Sequence, residues 1–343
     1  MQKFIKKTIA FISPLIIIGL FEMLMPIDYF THRPWEALLY RSGDFPFYPN
    51  QVLKMKSVGG LGFHTPFAVE KNEYWKTDKL GYRNNYFIKK ADVLIIGDSF
   101  IAGSSVTQDS TLANQIMSIS NEKTTVYSLA PATFNDFVNL LNQGIIEKPK
   151  LLILSIVERN LPPIFDEEAI AKKNFQIKNS NAEIYFDKIQ RFYSFEYMKA
   201  RFLNKKGSGK KGIVDSKMFF VNGKAQKYDS NYLLKVFNSI KSYKQFCDKE
   251  NIVFMFLPMP DKETVYFDLV PFKNQRTELL KLDSLLTLNG IYSINTLKVY
   301  NQYRKNKKAL LYHLDDTHWN ANSINLIAKD ICEYARTHNI LYK

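Results

Sequence analysis

From Ala91 onward, polar and apolar positions alternate in blocks along this chain. Short continuous apolar runs at 93–96, 125–129, 151–157, 252–257 and 291–294 predict strands. Between them, apolar residues recur at helical spacing and predict helices at 111–119, 134–143, 232–249, 272–288 and 323–335. Strands without a polar face, alternating with amphipathic helices, predict an α/β domain with a parallel sheet covered on both sides.

Three stretches fall outside that rhythm. Lys3, Lys6 and Lys7 precede an uncharged segment from Thr8 to Phe21, and apolar character resumes after Glu22 through Met25. About 18 such residues, roughly 27 Å as a helix, are enough to cross a bilayer. The lysines place the amino terminus in the cytoplasm and everything after Met25 outside. No small-x-small cleavage site follows, which favours an uncleaved anchor over a cleaved signal peptide, with Glu22 near the outer interface. Residues 34–86 are aromatic and irregular, broken by Gly59-Gly60-Leu61-Gly62, and read as a membrane-proximal extension of short strands. Residues 161–230, rich in Lys, Asn, Phe and Tyr, read as an insertion beside the active site. Its run Lys205-Lys206-Gly207-Ser208-Gly209-Lys210-Lys211 lacks the spacing of a phosphate loop and reads as a flexible basic loop. Asn222-Gly223 is a hairpin signal. The resulting division is 1–25 anchor, 26–90 extension and 91–343 catalytic domain.

Composition narrows the class. In 343 residues, 46% hydrophobic and 23% charged with 26 Phe and 20 Tyr, the chain has material for a large core and is not disordered. The net charge of +14 fits an anionic neighbour such as a membrane surface or acidic polymer, and equally a solvated lysine-rich surface. A domain outside the membrane leaves no role for nucleic acid. Cys247 and Cys332 each sit in a predicted amphipathic helix; they read as two buried thiols, with pairing the alternative, and no metal spacing surrounds either. No cofactor motif is present.

The chemistry-bearing residues lie at a strand end and near the chain end. Val93-Leu94-Ile95-Ile96 runs into Gly97-Asp98-Ser99-Phe100, with Gly103 following, so Ser99 sits on a turn at the carboxyl edge of the sheet. A serine nucleophile needs a base. Of the five histidines, His32, His64, His313, His318 and His338, only His318 carries carboxylates two and three residues before it, Asp316 and Asp315, just ahead of a helix start at 320–323. Such a carboxylate fixes the imidazole tautomer and stabilises the imidazolium formed during attack. Each piece also has a structural reading: Gly-Asp-Ser as a turn, Asp-Asp as a helix cap.

Gly97-Asp98-Ser99-Phe100 with Gly103 resembles the first signature of the SGNH/GDSL hydrolase superfamily, with Phe100 in place of the usual leucine. Asp316-Thr317-His318-Trp319-Asn320 resembles the Asp-x-His-Trp motif of its alginate O-acetyltransferase-like members. Residues 77–84, 157–160 and 258–266 are similar to those relatives too, so the resemblance spans about 77–335. It implies a flavodoxin-like three-layer α/β/α domain acting through Ser99, His318 and Asp316. Asp315 is the alternative acid, because many superfamily hydrolases space the pair as Asp-x-x-His. It also implies an oxyanion hole from the Ser99 amide, the amide after the second strand, where Thr133 replaces the glycine, and a donor after the third strand, Asn160 or Arg159. Arg159 has the alternative of pairing with Glu158. Alginate acetylation proteins carry their Asp-x-His motif ahead of the serine, the reverse of the order here, which argues against alginate as substrate.

By this resemblance the expected function is extracytoplasmic O-acyl or O-acetyl transfer to a cell-envelope or exported polysaccharide. The expected partners are a polytopic membrane O-acyltransferase and a carbohydrate acceptor. A carbohydrate O-acetylesterase and a catalytically silent scaffold of polysaccharide assembly are the alternatives.

Overall fold

The computed structural model describes residues 1–25, 31–161, 173–177, 181–191, 210–211, 217–221, 230–270, 276–306 and 309–340. In chain order come α1 (Gln2–Leu24), α2 (Pro34–Leu38), β1 (Val52–Ser57), β2 (Lys71–Lys76), β3 (Val93–Ile96), α3 (Leu112–Ile119), β4 (Val126–Leu129), α4 (Phe134–Asn142) and β5 (Leu151–Val157). There follow α5 (Asn181–Arg191), β6 (Lys210–Lys211), β7 (Phe219–Phe220), α6 (Ser230–Lys249), β8 (Val253–Met259), α7 (Lys262–Val265), α8 (Glu278–Leu288), β9 (Tyr292–Ser293), α9 (Thr296–Asn306) and α10 (Ala321–Thr337).

Strands β4-β3-β5-β8-β9 form one sheet, in that order, and every pairing is parallel. The chain leaves β3 for β4 on one side and then returns to β5 on the other. That reversal opens a crevice at the carboxyl ends of β3 and β5, the place where open α/β sheets hold their ligands. β3, β4 and β5 are buried at every position, as strands covered on both faces must be. α3 and α10 pack together, with Asn325 bonded to Gln115 at 2.6 Å. α4 meets α6 through Phe134, whose ring lies 4.7 Å from Tyr243 and 5.4 Å from Phe246. The predicted strands and the α/β class agree with this architecture. α9 was not anticipated, because its buried face is only Thr296, Leu297 and Tyr300 in an otherwise polar segment. Residues 222–229, with the Asn-Gly turn, and 205–209 lie outside the described residues; β6 and β7, which both precede that turn, pair antiparallel with each other.

The extension is built into the domain. β1 and β2 form an antiparallel hairpin over a small core of Ala37, Leu38, Phe47, Leu53 and Trp75. Phe45, Leu80 and Tyr82 join the main core across the expected boundary at residue 90. Buried Arg83 fastens the two parts: it lies 3.8 Å over the Trp75 ring and donates to the carbonyls of Tyr74, Ala102, Gly103 and Val106. Asn84 bonds both the N–H and the C=O of Ser128, covering the outer edge of β4 as a neighbouring strand would.

α1 is long and apolar enough to span a membrane, and its apolar window is covered by nothing else in the described structure. Its last turn meets α5, where Lys188 donates to the carbonyls of Met23 and Met25 at 3.0 Å each, satisfying groups a helix end leaves free. Glu22, expected near the outer interface, is 3% exposed at this junction. Cys247 and Cys332 are free and buried, and burial pushes the Cys247 thiol up to about 12.

Candidate active site

After β3 the chain winds tightly. A side chain on Gly97 would meet Ile101 at 2.4 Å, so glycine is required there, and Gly103 adopts a positive φ of 76°. The Asp98 side chain accepts the Phe100 N–H, the Asp98 carbonyl accepts the Ala102 N–H and the Ser99 carbonyl accepts the Ser104 N–H. These bonds hold Ser99 half-exposed at the sheet edge.

His318 reaches it from the other end of the chain. Ser99 Oγ lies 2.8 Å from His318 Nε2, and His318 Nδ1 lies 2.5 Å from Asp316 Oδ1. The two motifs are locked together: the Trp319 indole N–H donates to the Phe100 carbonyl at 3.0 Å, and the Phe100 ring lies 4.9 Å from that of His318. Asp316 is fully engaged. Oδ1 also accepts the His318 main-chain N–H, and Oδ2 accepts the Gly60 N–H and the Ser105 hydroxyl at 3.1 Å each. Burial works to raise the Asp316 carboxyl, but the imidazole of His318 and these N–H donors hold it well below the usual carboxylate range.

Lys262, in the stretch 258–266, holds this loop from beneath. Its ammonium donates to the carbonyls of His313, Leu314 and Asp316 at 2.5–3.0 Å, and burial brings its pKa down to about 7. The sequence flagged this stretch by resemblance alone. Gly60, Ser105 and Lys262 were missed as supports because each acts across a long sequence separation, and only the Gly-rich stretch 59–62 gave a signal, read there as a break.

Several expectations change. Asp315 does not face His318: its buried carboxylate accepts the N–H groups of Gly59 and Val69 and pairs with Lys71 at 2.9 Å, while its carbonyl accepts Leu61 and Gly62. The Thr133 amide does not face the serine, because a capping box turns it to Asp136 Oδ2 at 2.9 Å at the start of α4. Arg159 pairs with Asp261, not Glu158, with its guanidinium 5.7 Å from the Phe100 ring centroid. Glu158 is buried and accepts the Asp261 N–H and the Thr264 hydroxyl. Asn160 is exposed at the end of a short 3₁₀ turn.

A cavity of about 450 Å³ opens in front of Ser99 and His318. Much of its wall comes from the extension, including Arg33, Trp35, Leu39, Phe47, Val58 and Leu61. Among the described residues no group of three His, Cys, Asp or Glu side chains has the arrangement to hold a metal ion.

No family model and no curated protein matches this chain. Among solved structures it is similar to an acetyl xylan esterase from the rumen bacterium Butyrivibrio proteoclasticus. The two are 9% identical over 80% of this chain and 68% of that one, with a TM-score of 0.35.

Proposed function

We propose that this chain is a membrane-anchored, SGNH-type serine acyltransferase whose acceptor is a hydroxyl of a cell-envelope or exported polysaccharide. The observation that carries the reading is the continuous relay from Ser99 through His318 to Asp316 at the mouth of a cavity. In the acylation step His318 Nε2 takes the Ser99 proton as Oγ attacks the donor's carbonyl carbon. The imidazolium returns that proton to the leaving group as its bond to carbon breaks. Asp316 stabilises the imidazolium and keeps Nδ1 protonated. A sugar hydroxyl, deprotonated by His318, then attacks the acyl carbon; the bond from that carbon to Ser99 Oγ breaks, and His318 returns the proton to Ser99. α1 supports confinement at a membrane beside an acyl-delivering integral membrane partner.

Transferase and esterase differ only in the acceptor. The deciding experiment incubates the full-length chain in detergent micelles with an activated ester, with and without oligosaccharide, followed by mass spectrometry. Acylated oligosaccharide is the expected product. Free acid alone would make the protein a carbohydrate esterase, and absence of acyl-Ser99 would leave a silent scaffold.

A further inference from the structure

The cavity beside Ser99 is much larger than an acetyl group requires. Its 450 Å³ falls in the range of pockets that enclose whole ligands, roughly 300–1,000 Å³. Its walls are dominated by Trp35, Leu39, Phe47, Val58, Leu61 and Ala102.

The charged groups that the extension contributes are already committed. Glu73 accepts the Ser57 hydroxyl and, at 2.8 Å, the Trp75 indole N–H, and burial raises its carboxyl above the ordinary range. Arg33 pairs with Glu36 at 3.3 Å and lies 4.7 Å from the Trp35 ring centroid. A sugar ring driven against the apolar part of these walls, away from the Ser99, Ser105, Thr317 and His318 side, would leave its hydroxyls there without partners, whereas an alkyl chain would lose only contact with water. Close to Ser99, the buried Ser104 hydroxyl has no hydrogen-bond partner among the described residues and lines the cavity, offering a polar contact for the ester end of a chain.

The position of this wall also matters. Arg33 follows Met25, just past the end of α1, by eight residues. Eight residues span at most about 29 Å fully extended, so the cavity stays within that reach of the apolar helix and of any lipid-side acyl donor.

Resting on the serine acylation proposed above, we propose that the cavity is an acyl pocket selecting a chain of about four to eight carbons, so that the transferred group is longer than acetyl. A chain of that length fits within the space and leaves the mouth free for the acceptor. In the step itself, the bond from Ser99 Oγ to the acyl carbon forms and the bond from that carbon to the donor's leaving oxygen or sulfur breaks. The serine proton passes through His318 to the leaving group, and nothing is oxidised or reduced.

The test measures acylation of the full-length chain in micelles by p-nitrophenyl acetate, butanoate, hexanoate and octanoate. Each buried methylene is worth up to about fourfold in kcat/KM. Hexanoate should exceed acetate by at least tenfold, and Val58→Trp and Leu39→Trp should each lower the hexanoate-to-acetate ratio tenfold or more. Acetate reacting as fast as hexanoate while Ser99 becomes acylated would overturn the acyl pocket and leave the serine assignment standing. An unchanged ratio in both tryptophan variants would overturn it too. Failure of every ester to label Ser99 would remove the serine reading and the pocket with it.

Discussion

Asp315 and Asp316 are neighbours in sequence but direct their carboxylates to opposite tasks. Asp316 holds the imidazole of His318 at 2.5 Å, while Asp315 receives Gly59, Val69 and Lys71 from the extension. The second carboxylate fixes the loop that presents the first. A single turn thereby joins the extension to the relay at Ser99.

This division makes the two aspartates separable. Asp316→Asn should reduce acylation on the order of 10⁴-fold, since a wrong tautomer has that effect in serine enzymes. Asp315→Asn breaks a buried ion pair with Lys71 and should destabilise the fold by about 3 kcal/mol, with a much smaller loss of rate in the folded protein. Thermal unfolding and burst kinetics on both variants check the ranking. Equal losses of rate would mean that both carboxylates serve His318.

Gly59 tests the same junction from the other side. A Cβ there would lie 2.2 Å from the Asp315 carbonyl oxygen and 2.6 Å from its Cγ, so backbone must move. Gly59→Ala should cost about 1–3 kcal/mol of stability, as overpacking does, and slow acylation by displacing Asp316. An unfolding midpoint and a rate both equal to wild type would mean the loop yields freely and does not position the acid.

The sequence made the sheet legible because its strands are buried on both faces, and such runs need no partner to be recognised. Ser99 and His318 were legible for a related reason: each lies in a short local motif at an element end. The supports were not. Lys262 reaches three carbonyls of 313–316, and Gly60 and Ser105 converge on one oxygen of Asp316. Nothing local distinguishes these residues from any other Lys, Gly or Ser. Thr133 misled for a local reason, because Asp136 three positions on forms a capping box that consumes the amide. The role of the extension was hidden most fully: its irregular pattern reads as short strands leading into the domain, yet it supplies much of the cavity wall.

Glu158 carries a pH signature. Burial, with Asp261 adding repulsion, raises its pKa from 4.5 to about 7. The folded state therefore binds more protons than the unfolded state between those values, so stability is greatest below about pH 4.5 and falls as pH rises through 7. Glu158→Gln keeps the neutral form at every pH. It should stabilise the protein at pH 8 by up to about 3 kcal/mol and by almost nothing at pH 4.5. Unfolding midpoints at the two pH values read the difference directly, and a variant less stable than wild type at pH 8 would mean that the fold does not disfavour ionised Glu158 and that its pKa is not raised.

Membrane topology is the last prediction, and both transfer and the acyl pocket depend on it. α1 has a mean hydropathy of 1.9 over its apolar window, with Lys3, Lys6 and Lys7 at its start. That asymmetry predicts that the start of the helix lies in the cytoplasm and the cavity outside. Lys188 capping the carbonyls of Met23 and Met25 secures the helix end to the domain, so an anchored protein would hold Ser99 at a short, defined height above the bilayer. A phosphatase reporter fused after Lys343 should be active, and a fluorescent reporter that matures only in the cytoplasm should stay dark at the same position. The full polypeptide, with the α1 sequence at its amino end, should remain in the membrane fraction after high-salt washing. Recovery of a soluble form beginning near Pro26 would show that α1 is a secretory peptide, and would favour a free esterase over a tethered transferase.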